Sequence, residues 1–175
     1  SMMAIFDDMG KASETVAAII KAKIIPATLE FMDNFTIRAV ESFAKAGLPT
    51  DAEALLLIEV DGHPAQVAEE AAKVEEICKK LGAQRIQVAK DAAEKNKVWE
   101  ARRAALSSLA KLRPTTVLED ATVPRSKIPA MMQALGDIGR ALPEVPCRIP
   151  ANGFILGSPG GVASALDLLE GGGRG

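Results

Sequence analysis

The residue whose chemistry stands out in this sequence is Arg102, in the segment VWEARRAALSSLAKLRPTTVLEDATVP, residues 98–124. At helical spacing Val98, Ala105 and Leu109 share one apolar face, and Arg102 is expected in the middle of that face. Because a guanidinium stays charged, an arginine on an apolar face needs an anion within reach. Two sources remain open: a carboxylate of the same fold, or the carboxylate of a bound substrate.

Carboxylates in two other segments are the next candidates for chemistry. Glu30, in LEFMD, shares one face of a predicted strand with a threonine and a methionine, and exposure to solvent is its simplest interpretation. Glu119 and Asp120, in LEDATVP, fall on opposite faces of an extended segment. At most one of these two acids can therefore line a site, and they cannot act as a catalytic pair. Either could instead pair with Arg102 inside the fold.

The other reactive residue types are few. The single histidine, His63, precedes a proline at a predicted helix entrance, where exposure is expected and catalysis is not. Cys78 and Cys147 lie far apart without a CxxC motif, which excludes a disulfide scaffold and a four-ligand zinc site within this chain. The glycine-rich strings GSPGG and GGGRG lack the flanking strand and helix of a phosphate-binding loop. Residue types alone therefore assemble no complete active site.

Composition narrows the function classes. The 175 residues are 48% hydrophobic and 25% charged, with a formal net charge of −2, as is usual for a globular protein. Lysines and arginines are scattered, so no electrostatic footprint for nucleic acid is present. No apolar run approaches the roughly 18 residues of a membrane-spanning helix, and the acidic start does not resemble a secretory signal. These features, with the sparse cysteines, predict a cytoplasmic protein.

Hydrophobic periodicity predicts the elements that position these residues. Strands are expected over residues 2–6, 25–33, 53–62 and 83–90. Helices are expected over residues 10–23, 34–46, 64–81, 92–112 and from the prolines at 124 and 129 to about 142. Asn34 and Asp91 are the expected N-caps of the second and fourth helices, and Asp33 is expected to end the preceding strand in a turn and to cap the second helix together with Asn34. Residues 113–123 are expected to be extended.

This order of elements predicts the fold class. Strand, helix, strand, helix, strand, helix, strand forms a split βαβ–βαβ unit with one additional helix between its halves. The expected fold is α+β, a ferredoxin-like antiparallel sheet with helices on one face, plus additional C-terminal helices. Residues 1–142 form the predicted domain. Residues 143–175, rich in glycine and proline, are expected to be a poorly ordered tail.

Four strings carry a resemblance to a known family: IIPATLEFMDNFTIRAVE, ALLLIEVDGHPAQVAEEAAKVEEICKKLGA, KDAAEKNKVWEARRAAL and RPTTVLEDATVPRSKIPAMM. From about residue 3 to 142 the chain resembles the C-terminal, substrate-capping domain of FAD-linked oxidases, in the branch of the glycolate oxidase D-subunit and D-lactate dehydrogenase. The resemblance implies oxidation of 2-hydroxy acids by hydride transfer to the flavin N5, with FAD held mainly by a separate domain. The arginine of the family's W-x-x-R helix binds the substrate carboxylate, and Arg102 in WEAR matches it. The predicted substrate-binding residues are Arg102, Glu30 and Glu119.

The chain also departs from the family pattern. Many members continue, after the helix that follows VPRSKIP, into a GHxGDGNxH segment whose histidines hold a divalent metal. Neither that motif nor the FAD domain is found in this sequence. The resemblance therefore predicts part of an oxidoreductase that is inactive alone. Its expected partners are a small 2-hydroxy acid and the FAD-binding domain or other oxidase subunits, and any divalent metal of the intact enzyme would lack its ligands here. A stand-alone ferredoxin-like module for small-acid binding or oligomerisation is the alternative.

Overall fold

The computed structural model describes residues 1–112, 123–141 and 154–155. Strands in these residues are β1 (Met2–Phe6), β2 (Thr28–Asp33), β3 (Ala54–Glu59), β4 (Arg85–Val88) and β5 (Phe154–Ile155). Helices are α1 (Met9–Lys21), α2 (Asn34–Ala44), α3 (Pro64–Lys80), α4 (Ala92–Ala110) and α5 (Ile128–Ala141), the last preceded by a 3-10 turn at Arg125–Lys127.

The strands form one antiparallel sheet in the order β4-β1-β3-β2-β5. Its first four strands have the order expected when two βαβ halves interleave. Helix α1 connects β1 to β2 and α3 connects β3 to β4, as in a ferredoxin-like unit. The predicted α+β fold with an antiparallel sheet is therefore confirmed.

One face of the sheet packs against α1, α3 and α5. Alternate strand residues such as Phe6 and Leu56 join Val16 and Ile19 of α1 and Val74 of α3 in one core. Residues on these helices recur at the three- and four-residue spacing of an amphipathic helix, so each helix presents one apolar stripe to the sheet. Further core residues come from α5, namely Ile128 and Met132.

The opposite face is covered by α2 and α4. Met3, Leu55 and Leu57 of the sheet pack there with Ile37 of α2 and Ala101 of α4. The prediction that the helices pack on one face of the sheet holds for α1 and α3. Helix α2, inserted between β2 and β3, packs on the opposite face. Strand β3 is consequently buried on both faces, as its uninterrupted apolar run indicates.

Local signals set the helix starts, with one difference from expectation. Asp33 caps α2 as expected, without Asn34, and its carboxylate accepts a hydrogen bond from the Thr36 backbone N–H at 2.9 Å. Asn34 is the first helical residue, and its side-chain amide donates to the backbone carbonyls of Thr50 at 3.1 Å and Ala52 at 2.6 Å. Either residue type can cap a helix, and these loop carbonyls engage the Asn34 amide.

Two predicted segments lie largely outside the described residues. The expected extended stretch at 113–123 is described only at Val123. Its side chain is partly buried against the core that α1, α3 and α5 form with the sheet. The predicted tail at 143–175 is described only at β5, whose two residues pair with β2 opposite Glu30 and Phe31.

Candidate functional site

Helix α4 carries the predicted ligand-binding arginine. Asp91 is the N-cap of α4, as predicted. Its carboxylate accepts hydrogen bonds from the backbone N–H groups of Ala93 and Glu94, both at 2.9 Å. Ala101, 1% exposed, is at the centre of the face that packs on the sheet. Arg102 follows it by one residue, about 100° around the helix. Arg102 therefore lies at the flank of the buried face, not in its middle, and its side chain is 36% exposed.

Glu30 supplies the anion that Arg102 requires. The Arg102 Nε–H donates to Glu30 Oε1, with 2.7 Å between the heavy atoms. The Glu30 side chain is only 5% exposed, because α4 covers this face of β2. The simple expectation that Glu30 faces solvent is wrong. A polar residue in an alternating strand usually marks a solvent-facing side of the sheet, but both faces of β2 are buried here.

The exposed part of Arg102 determines what this arrangement can do chemically. A guanidinium carries five N–H donors, and the Glu30 contact is made through Nε. Its planar fork matches a carboxylate through two parallel hydrogen bonds. An arginine anchored on one side and accessible to solvent is therefore suited to recognising a small carboxylate.

A second ion pair joins α4 to the same face of the sheet. Lys95 Nζ lies 2.5 Å from Glu59 Oε1 of β3. Lys95 and Arg102 are seven residues apart and thus on one side of α4. Glu59 lies opposite Thr28 in the β2–β3 register, so it is a diagonal neighbour of Glu30. Sequence reasoning missed this second pair, although the seven-residue spacing of the two cations could have indicated it.

The third predicted substrate-binding residue, Glu119, lies outside the described residues, as does Asp120. Of the predicted set, the structure brings together Arg102 and Glu30, which are separated by 72 positions in the sequence. His63 is exposed at the entrance of α3, as expected, and its Nδ1 accepts from the Ala65 backbone N–H at 3.4 Å.

Two observations in the described residues bear on cofactor and metal binding. Within them, no three or more His, Cys, Asp or Glu side chains are grouped closely enough to hold a metal. An open cavity of about 450 Å³ is lined by Arg38, Glu41, Ser42, Thr50 and Asp51. This charged lining is unlike the mostly apolar sites that enclose cofactor rings.

Two further properties bear on function. Burial raises the pKa of the Cys78 thiol to about 12, so the thiol stays protonated and does not act as a nucleophile at neutral pH. Among the helices in the described ranges, none combines the length and apolar character needed to cross a membrane.

Comparison with known proteins places these observations in a family context. Residues 1–149 match the family described as "FAD linked oxidases, C-terminal domain". The chain is 51% identical over 138 residues to "Glycolate oxidase subunit GlcD" of Bacillus subtilis (strain 168), an alignment covering 79% of this chain and 29% of that protein. It is 38% identical over 139 residues to the protein of the same name in Escherichia coli (strain K12), covering 79% and 28% respectively. The chain thus spans less than a third of the length of these relatives.

Proposed function

Because the chain belongs to the FAD-linked oxidase C-terminal domain family, we propose that it is the substrate-capping domain of an FAD-dependent oxidoreductase acting on a small 2-hydroxy acid, of the glycolate or D-lactate type. The observation that carries the proposal is Arg102, whose side chain is 36% exposed and whose Nε–H is anchored at 2.7 Å on a buried carboxylate. The similarity to proteins named glycolate oxidase subunit supports this substrate class.

The proposed role of Arg102 is to bind the carboxylate of the acid and orient its α-carbon. Two parallel hydrogen bonds from a guanidinium fix direction as well as position, and a fixed direction is what transfer to an acceptor requires. Glu30 and Glu119 are assigned to the same site, Glu30 through its contact with Arg102. The flank of α4 next to β2 is then the part of this domain that faces the substrate.

The proposal divides the work between this domain and the rest of the enzyme. FAD supplies the electron acceptor, and it is expected on an FAD-binding domain or another oxidase subunit. Within the described residues, no three or more His, Cys, Asp or Glu side chains are grouped closely enough to hold a metal. We therefore expect the chain alone to bind and orient the acid without oxidising it.

A domain exchange tests this function. The 138 aligned residues of this chain replace the matching segment of the Bacillus subtilis relative, and the chimera is produced in a strain lacking the native protein. Extracts are assayed for dye reduction with glycolate and with D-lactate, and the purified chain with added FAD is the control. The expected result is turnover by the chimera and none by the isolated chain. A chimera that binds flavin but oxidises neither acid, or turnover by the chain alone, contradicts the proposal.

A further inference from the structure

We infer that Glu30 is a positioning residue: it fixes the orientation of the Arg102 guanidinium for carboxylate capture and does not itself touch the acid. This inference rests on the proposed function, because it assigns Glu30 a part in the ligand contact proposed for Arg102. Glu30 could either contact the ligand directly or orient Arg102, which makes the contact, and the inference assigns it the second role.

Burial and charge argue against direct contact by Glu30. Its side chain is 5% exposed, and its Oε1 already accepts the Arg102 Nε–H. Its sheet neighbours in register are Leu57 on one side and Ile155 on the other. A substrate carboxylate brought against a second carboxylate is repelled, because like charges at close range disfavour each other. The acid therefore has to approach the guanidinium from a side remote from Glu30.

The atom that Glu30 engages explains how it can orient Arg102. A guanidinium is planar, and its donors are fixed relative to one another. The Nε–H donates at 2.7 Å to Glu30 Oε1, an acceptor on a buried strand, and this hydrogen bond restrains the end of the guanidinium that joins its plane to the side-chain stem. The remaining donors then point in a restricted direction. An arginine side chain without this restraint would lose conformational freedom when it bound the acid, and that loss would weaken affinity.

The neighbouring pair provides an internal comparison. Lys95 and Glu59 also join α4 to the sheet, and the Glu59 carboxylate is 19% exposed. An ammonium group has no plane to orient, since its three donors rotate about a single axis. Loss of Glu59 should therefore remove a contact between α4 and the sheet without affecting the direction of the Arg102 donors. Glu59→Ala is thus the matched control for Glu30→Ala.

The experiment uses the full chain and nuclear magnetic resonance of the arginine Nε–H groups. The Arg102 signal is assigned by its loss in Arg102→Lys. Hydrogen exchange of this signal is measured in the wild type, Glu30→Ala, Glu30→Gln and Glu59→Ala, and glycolate is then titrated into each. Circular dichroism melting establishes that each variant is folded at the working temperature.

Glu30→Ala should speed Nε–H exchange and weaken glycolate binding, each by about tenfold, since one charge-assisted hydrogen bond is lost. Glu30→Gln should stay within about threefold of the wild type in both, because its amide oxygen can still accept from Nε. Glu59→Ala should resemble the wild type. The inference is overturned if Glu30→Ala changes neither quantity, if Glu30→Gln is as defective as Glu30→Ala, or if Glu59→Ala weakens glycolate binding equally. If glycolate leaves the wild-type Arg102 signal unchanged, carboxylate capture and the proposed function are contradicted, whatever the exchange rates show about Glu30.

Discussion

The ion pair of Glu30 and Arg102 joins a buried carboxylate to an arginine whose side chain is partly exposed. Glu30 is removed from water on strand β2, so its charge depends on a partner for stabilisation. Arg102 retains access to solvent and can make a further contact. The asymmetry in exposure gives the two residues different roles, with Glu30 holding the pair in place and Arg102 available to a ligand.

Asp33, the N-cap of α2, yields a prediction about pH. Burial raises its pKa above the ordinary value of 3.8, with the Glu53 carboxylate adding to the shift, so the folded state favours the protonated form. Between the unfolded and folded pKa values the native state binds more protons, and the contribution of Asp33 to stability falls as pH rises through that window. Asp33→Asn keeps the cap without the charge. We expect its free energy of unfolding to equal or exceed that of the wild type at pH 7.

Denaturant unfolding at pH 7 and at pH 3.5 measures this difference. The advantage of Asp33→Asn should shrink at the lower pH, where the wild-type carboxyl is also protonated. Asp33→Ala, which removes the acceptor of the Thr36 N–H, is the comparison variant and should lose about 1 kcal/mol. A loss of more than about 1 kcal/mol in Asp33→Asn at pH 7 would mean that the ionised carboxylate stabilises the helix.

At the scale of elements, the placement of α4 decides whether the site exists. Ala101 is 1% exposed where α4 meets the sheet, in the cluster that includes Met3 and Leu57. Ala101→Leu adds volume in a filled space and should destabilise the protein by about 1–3 kcal/mol. Thermal unfolding followed by circular dichroism measures the change.

Ala110→Leu is the matched control, because Ala110 is an exposed residue of the same helix. It should change stability by no more than about 0.5 kcal/mol. If the two leucine variants unfold at the same temperature, α4 does not pack on the sheet through Ala101.

The elements themselves were largely predictable, because their signals are local. The apolar stripe of α3, including Val74 and Cys78, and the uninterrupted apolar run of β3 identify a helix and a central strand. The face that each inserted helix covers was not predictable, since it depends on tertiary packing. For the same reason Glu30 was expected in solvent, and its contact with Arg102 spans 72 positions that no periodicity relates.

At the scale of the whole molecule, the ferredoxin-like sheet has helices packed on both faces, and this packing positions the flank of α4. The chain matches its family over residues 1–149 and spans 29% of the Bacillus subtilis relative. We propose residues 1–142 as the folding domain and residues 143–175 as a segment that its stability does not require.

Deletion of residues 143–175 tests that division. Among the described residues, β2 keeps its register with β3 from Thr28 to Asp33 and loses the two positions paired with β5. Cross-strand pairs contribute roughly 0.2–1 kcal/mol each, so the truncated chain should lose no more than about 2 kcal/mol. Chemical denaturation of both forms measures the difference, and a substantially larger loss would show that the removed segment is part of the domain.

Substrate capture by Arg102 is the central claim, and Arg102→Lys in the chimera with the Bacillus subtilis relative tests it most directly. The variant keeps the positive charge but loses the two-point match to a carboxylate. The account predicts that kcat/KM for glycolate falls by roughly 10- to 150-fold, or about 1.5–3 kcal/mol, while flavin absorbance is unchanged. An unchanged kcat/KM in a flavin-loaded variant would remove Arg102 from the substrate site and contradict the account.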